Sequence, residues 1–451
     1  MSCSINSNAQ TDSLTSIFVK TYTPEQLRTD IDYVRDLLTK KHPNLYWYIS
    51  KAKLNYKFSS LKNAINTPLT APQFQHKLLH VLSSIGDGHI KLALNEDNFP
   101  SADMLFFKGD KIYPIQQLTY KIIKGRLYVV KNDSGNNLIA PGAEILSIDG
   151  KPASDIILTL ADQRASDGYN QTLKIGALNL SEFPNDYYYT YGLKQKLNVV
   201  IKQNDSLKTI ELIAQDRPKL LNASSELYDI YADTASNDKP AYLKISKFEW
   251  YFPELDPLNK IFVEYNRLDT KCLIIDLRDN MGGDYKRMAH LFSMLIDKPT
   301  YLGALRSGQL GHEQTAMLHD FDNGCKWPVQ PQSYHYDGKL YIITNGVTFS
   351  AAAWLAANLK IINRATLVGE ETGGGRNGCI AGVYDESLLP GSGLRFTFGL
   401  VQITVLPKVK QIGRGVMPDI PITYTISDYL KNKDLEREWI DNDIKAKGIL
   451  K

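Results

Sequence analysis

The run Tyr341–Gly378, YIITNGVTFSAAAWLAANLKIINRATLVGEETGGGRNG, decides the fold. Tyr341–Thr344 is a short apolar run that reads as a buried strand, and Asn345-Gly346 is a turn signal. Ser350 opens the alanine-rich SAAAWLAANLK, whose residues are strong helix formers. A second buried strand, Ala365–Val368, then leads into a glycine-rich loop. Strand, turn, helix, strand and glycine loop make this an α/β unit. A serine where a loop enters a helix can present its hydroxyl beside free backbone amides, which suits an acyl-transfer nucleophile. Serine is also a favoured helix N-cap, and three alanines behind it suit that job equally. The stretch alone leaves both readings open.

Working outward, the 451 residues allow about three domains of the usual size. A hydrophobic content of 43% with 22% charged residues is an ordinary globular balance, so sizeable cores are expected. The net charge of +3 is spread without a basic block, which argues against a nucleic-acid partner. The four cysteines, Cys3, Cys272, Cys325 and Cys379, show no CxxC pairing and no histidine at metal spacing. Neither a metal site nor a disulfide framework is expected. No apolar run reaches the roughly 18 residues of a membrane span, so no integral membrane segment is expected. Residues 1–19 read as a disordered leader. Its polar start is compatible with the remnant of an export signal or a lipidated stem at Cys3, which places the protein among exported ones.

Residues 20–100 read as a helical domain. Thr23, Pro24 and Gln26 give a capping box, Leu27, Ile31, Val34 and Leu38 share one helix face, and Thr70-Ala71-Pro72 starts a later helix. That helix breaks at Gly86 in SSIGDGHIKL, and His89 follows in a backbone tightened by two glycines. The histidine is either a loop residue or an aimed imidazole. Residues 108–215 read as all-β with an insertion at about 162–192 that holds Tyr187, Tyr188, Tyr189 and Tyr191. The tyrosines suit core packing or a substrate rim. The segment PGAEILSIDGKPASDI resembles the core of a PDZ-like module, a fold that receives extended peptides along a sheet edge. From about 220 to 425 strands alternate with helices, and CLIIDLRDNMGG carries Gly282-Gly283 in a strand-to-helix turn. Such a turn brings backbone amides close to a ligand or is a tight turn and no more. Residues 426–451 hold a charged terminal helix expected over Asp428–Lys447.

Taken in order, SIGDGHIKL, PGAEILSIDG, IIDLRDNMGG, TFSAAAWLA with LVGEETGGG, and GRGVMPDI resemble the C-terminal-processing and tricorn-like serine peptidase family. The match covers nearly all of the chain after residue 20. The resemblance implies a multidomain α/β protein: a helical unit, a PDZ-like β domain and a ClpP/crotonase-like catalytic domain. It implies a serine endopeptidase or carboxyl-terminal processing peptidase acting on peptides or unfolded proteins without a cofactor. It places the nucleophile at Ser350 and the oxyanion hole at the amides of Gly282 or Gly283 and Ala351. The chain departs from the processing branch at Gly375, where that branch has a lysine base. Arg376 is no substitute, because a guanidinium stays protonated. The tricorn-like branch takes its base from the segment that here contains His89, and imidazole titrates in the right range. The acid expected before GVMPD is Ile412, and the serine expected before the histidine is Gly88. Asp87, Glu370 and Glu371 are the nearby acids, with Glu371 preferred because it leads into the glycine loop.

Two other readings remain in view. A homologue that has lost its chemistry would bind peptides or lipids without cutting them. A nucleotide-binding enzyme would use Gly373, Gly375 and Gly378 as a GxGxxG fingerprint, but that fingerprint has to open a helix.

Overall fold

The first helices of the chain form where their capping signals stand. In the computed structural model, which describes residues 16–95, 111–217, 230–233, 239–249, 257–311, 315, 328–405 and 413–450, Thr23 and Gln26 cap Pro24–Lys41 reciprocally. Thr70 and Gln73 do the same for Ala71–Leu82. Each box satisfies two amides that a helix start leaves open. The expected leader (all but its last four residues), Cys3, Cys325 and Ile412 lie outside the described residues.

Leu27, Ile31, Val34 and Leu38 are buried as the spacing predicts, and so are Phe74, Leu78, Val81 and Leu82 on the later helix. These side chains belong to the same hydrophobic cluster as the late α/β layer. Buried Asp30 reinforces the joint by accepting hydrogen bonds from the Gly391 and Ser392 amides at 2.6 and 2.8 Å. Past Gly86 the chain turns, and Lys91–Ala93 pairs antiparallel with Arg395–Thr397. This early strand, two residues beyond His89, thus belongs to a sheet built from the late chain.

The middle of the chain is an antiparallel sheet in the order Ser206–Ile213, Lys196–Gln203, Glu144–Ile148, Arg126–Asn132, Leu118–Ile123, backed by the helix Ala153–Asp162. It has its own hydrophobic cluster. The insertion expected at about 162–192 is helical, with Thr172–Ala177 and Phe183–Tyr191 joined by a π turn. Tyr187 and Tyr188 are buried in the middle sheet's core, and the Tyr188 hydroxyl accepts from the Ile115 amide at 3.0 Å. Core packing is therefore their use.

The late chain forms a sheet in the order Ile230–Asp233, Ala241–Ile245, Cys272–Asp276, Lys339–Thr344, Thr366–Gly369, Ile420–Pro421. All neighbours are parallel except the first pair. Because strand side chains alternate, Leu273, Ile275, Leu340 and Ile342 face the large cluster. Cys272, Ile274, Tyr341 and Ile343 face Ile440 and Ile444 of the terminal helix Leu435–Lys447. Burial on both faces explains why Cys272–Ile275 reads as an unbroken apolar run. The terminal element is two helices rather than one, Ile426–Leu430 and Leu435–Lys447, broken where Asn432 takes a left-handed φ of 48°. Arg278 bonds Asp276, Asp434 and Glu436 and so ties the second of them to the strand leading into Gly282-Gly283. Gly378 opens the strand Gly378–Leu388, not a helix, so the GxGxxG match lacks the context a dinucleotide site needs. No helix among the described residues is long and apolar enough to cross a membrane.

Candidate active site

Ser350 stands between the strand Lys339–Thr344 and the helix Ala351–Ile361, with φ 50° and ψ −125°. Its side chain makes no capping bond to that helix. The hydroxyl instead lies 3.0 Å from His89 Nε2. A serine held at positive φ and turned away from the cap it could make is a strained, aimed residue. The turn before it is fixed from the neighbouring strand. Thr348 Oγ1 donates to the Leu277 carbonyl at 2.8 Å, and the Phe349 amide donates to the Asn280 carbonyl at 2.9 Å.

The imidazole is held by packing. Its ring lies 4.6 Å from the Phe349 ring, centroid to centroid, and the residue is only 6% exposed. The His89 amide donates to Asp87 Oδ1 at 2.9 Å, which fixes the backbone from which the ring projects. Burial, with Lys91 adding and Asp87 opposing, lowers the imidazole pKa to about 4. The ring is therefore uncharged at neutral pH and can accept a proton.

The two glycine amides divide their work. Gly282 N–H donates to Asn280 Oδ1 at 2.8 Å and is committed. Gly283 is bridged to Phe248 through its neighbours: the Phe248 amide donates to the Gly282 carbonyl, and the Asp284 amide to the Phe248 carbonyl. That leaves Gly283 N–H without a partner among the described residues, as is Ala351 N–H at the start of its helix. Both residues and Ser350 line one pocket of about 360 Å³, walled by Trp354, Ala381 and Ile403. On its other side Ser350 opens, with His89 and Gly283, onto a cleft of about 1040 Å³ that runs along Ile90–Ala93. Of the alternative donors, Gly283 and Ala351 have amides to offer and Gly282 does not.

Glu371 is placed differently from its expected role. Its carboxylate accepts from Arg414 Nε at 2.9 Å and from the Gly415 amide at 2.7 Å, and Asn170 Nδ2 lies 3.3 Å away. Although burial works the other way, these bonds hold its pKa below the usual carboxylate range. No hydrogen bond among the described residues joins it to His89, so it braces the glycine loop rather than the imidazole. Glu370 is likewise turned away, with Oε2 accepting from the Gly346 amide at 3.2 Å. Asp87 is close, with Oδ1 4.0 Å from His89 Nδ1 and Oδ2 3.2 Å from His42 Nε2. A further buried acid, Asp167, accepts from the Gly88 and Gly375 amides at 3.0 and 2.9 Å. It comes from the insertion and carries no motif, so sequence reading had no means of finding it. Asp87, His89 and Asp167 each bring one ligand-type atom within 4.8 Å of the others.

Residues 239–422 match Peptidase family S41. A carboxyl-terminal-processing protease from Picosynechococcus sp. is 25% identical over 279 residues, which covers 61% of this chain and 59% of that relative. The chain thus spans less than two thirds of the length of the curated relative it matches. Among solved structures, mature CPAF superposes with a TM-score of 0.66 at 16% identity, over 93% of this chain and 96% of that one. Mature CPAF complexed with lactacystin gives 0.67 at 17% identity, over 94% and 98%. At these identities the likeness speaks for the fold. With its motifs in family order and its late sheet matched as a domain, the chain is similar to the C-terminal-processing peptidases, residues 239–422 matching Peptidase family S41.

Proposed function

We propose that the protein is a serine-type peptidase that hydrolyses peptide bonds by acyl transfer through Ser350, with His89 as general base. The observation that carries this reading is the 3.0 Å approach of His89 Nε2 to Ser350 Oγ. The unpaired amides of Gly283 and Ala351 beside it supply the oxyanion donors. As Oγ bonds to the scissile carbonyl carbon, its proton passes to Nε2, and the two amides donate to the oxyanion. Collapse breaks the carbon–nitrogen bond, and Nε2 returns the proton to the leaving amine. A water then attacks the acyl-enzyme, giving a proton to Nε2, and Ser350 leaves with that proton.

The substrate class in this reading is an extended or unfolded polypeptide, cut internally or near its carboxyl terminus. Lys91–Ala93 pairs on one side only among the described strands and borders the cleft, so a peptide can lie along it. Trp354, Ala381 and Ile403 suit an apolar side chain next to the cut. Within the same reading the antiparallel sheet is a PDZ-like module and the parallel sheet a ClpP/crotonase-like domain.

Incubation with an unfolded protein should yield fragments whose new termini are readable by mass spectrometry. Tight binding with the chain left intact would instead point to a homologue that holds peptides without cutting them. Gly283→Ala tests the oxyanion donor: a Cβ there would sit 2.7 Å from the Phe248 carbonyl oxygen at φ 131°. The amide has to move, and kcat on a fluorogenic peptide should fall by about a hundredfold to a thousandfold with KM little changed. A variant with the parent's kcat removes Gly283 from the mechanism.

A further inference from the structure

If Nε2 of His89 accepts from Ser350, the ring's own hydrogen is on Nδ1. Nδ1 is buried and has no hydrogen-bond partner among the described residues. Two acids lie near the ring. Asp87 Oδ1 lies 4.0 Å away, and Asp167 brings an oxygen into the same cluster, whose three atoms lie within 4.8 Å of one another. Asp87 is already engaged by the His89 amide and by His42.

Asp167 arrives from elsewhere, at the head of the inserted helices. Its Oδ1 accepts from the Gly88 amide and its Oδ2 from the Gly375 amide. One carboxylate thus pins the residue before the histidine to the residue that stands where a lysine base would be. The segment around it is woven tightly into the site. Gly168 N–H donates to the Gly86 carbonyl, Tyr169 N–H to the Gly413 carbonyl, both at 2.8 Å, and Asn170 Nδ2 to the Thr372 carbonyl at 2.9 Å. Gly168 packs so close that a Cβ would lie 2.2 Å from Gly413 Cα. Asp167 itself is buried, and no lysine or arginine among the described residues is bonded to it. A carboxylate in such a place is costly unless something uses its charge.

We propose that Asp167 is a positioning residue for His89: it locks the Gly88-His89 loop against the glycine loop and sets a negative charge behind the ring, filling the role that Glu371 does not. The inference rests on the Ser350–His89 reading. When the Ser350 proton reaches Nε2 the ring becomes a cation, and Asp167 stabilises that cation without taking the proton. Only the ionised carboxylate does this. The groups that face Asp167 are Asp87 and His89 from the same loop, His42 behind Asp87, Tyr48, and Cys379 with Tyr384 from the strand Gly378–Leu388. Burial first, and then the charge of Asp87, push its carboxyl up to about 7 against the pull of its two amide bonds. The rate should therefore rise as pH increases through about 7, well above the value of about 4 at which His89 itself loses its proton.

The test follows the rate of fluorophosphonate labelling against pH, a reaction in which an Oγ–P bond forms and fluoride leaves, alongside kcat and KM on a peptide. The parent should show an acid limb near neutrality. Asp167→Asn should lose that limb and react about tenfold to a thousandfold more slowly at alkaline pH, with the loss in kcat and not in KM. A merely structural acid predicts no limb near neutrality. An Asp167→Asn protein with the parent's rate and profile overturns the proposal, as does a loss confined to KM. Should the variant fail to fold, the parent's own profile decides, since no inflection near neutrality also overturns it. A parent that labels at no pH removes the Ser350–His89 reading and this inference together, whereas labelling that ignores Asp167→Asn removes this inference alone.

Discussion

Ser350→Ala is expected to abolish covalent labelling by a fluorophosphonate and to lower kcat by about a millionfold, while the thermal unfolding temperature stays close to the parent's. The chemical loss follows from the geometry. The hydroxyl is the atom that meets His89 Nε2 at 3.0 Å, beside the free amides of Gly283 and Ala351. The fold should tolerate the change because the hydroxyl does not cap the helix Ala351–Ile361, and alanine keeps the Cβ at the same φ of 50°. Activity and melting are thereby separated, which distinguishes a nucleophile from a helix cap. A cap lost at this position would instead lower stability by about 1 kcal/mol and leave turnover standing. Labelling of the variant at the parent's rate would remove Ser350 from the mechanism.

The second large effect is expected from His89→Ala, which should lower kcat by about ten-thousandfold or more. Ser350 Oγ has its hydrogen bond to this ring, and no lysine stands at Gly375 to take over as base. The variant should also fail to label at any pH at which it remains folded. Its KM should change little, because the ring contacts the reacting hydroxyl and not the length of the cleft. Steady-state kinetics on a fluorogenic peptide separates the two constants. A variant whose kcat matches the parent's would mean that another group takes the serine proton.

The large-scale order of the chain was legible because each element carries a local signal. Capping boxes at Thr23 and Thr70 mark helix starts. The all-buried run Cys272–Asp276 marks a strand covered on both faces. The Ser350–His89 approach joins residues 261 positions apart, and local periodicity does not contain it. It arises from the pairing of Lys91–Ala93 with Arg395–Thr397, a register visible only in the fold. Nearness in sequence to the glycine loop points to Glu371. The direction of its side chain is decided by Arg414 and the Gly415 amide, which come from a segment more than forty positions away. Asp167 was out of reach for the same reason, since its meaning depends on Gly88 and Gly375 converging on it from both sides. The terminal segment reads as one helix and folds as two, because nothing in the charge pattern announces a left-handed Asn432.

The most direct measurement is the site of covalent modification: the full-length protein is treated with a fluorophosphonate, digested, and the adduct located by mass spectrometry. A single adduct on Ser350 that disappears in His89→Ala is the predicted result. An adduct on another serine with Ser350 untouched, or none on a folded protein, would contradict a hydroxyl activated by that imidazole.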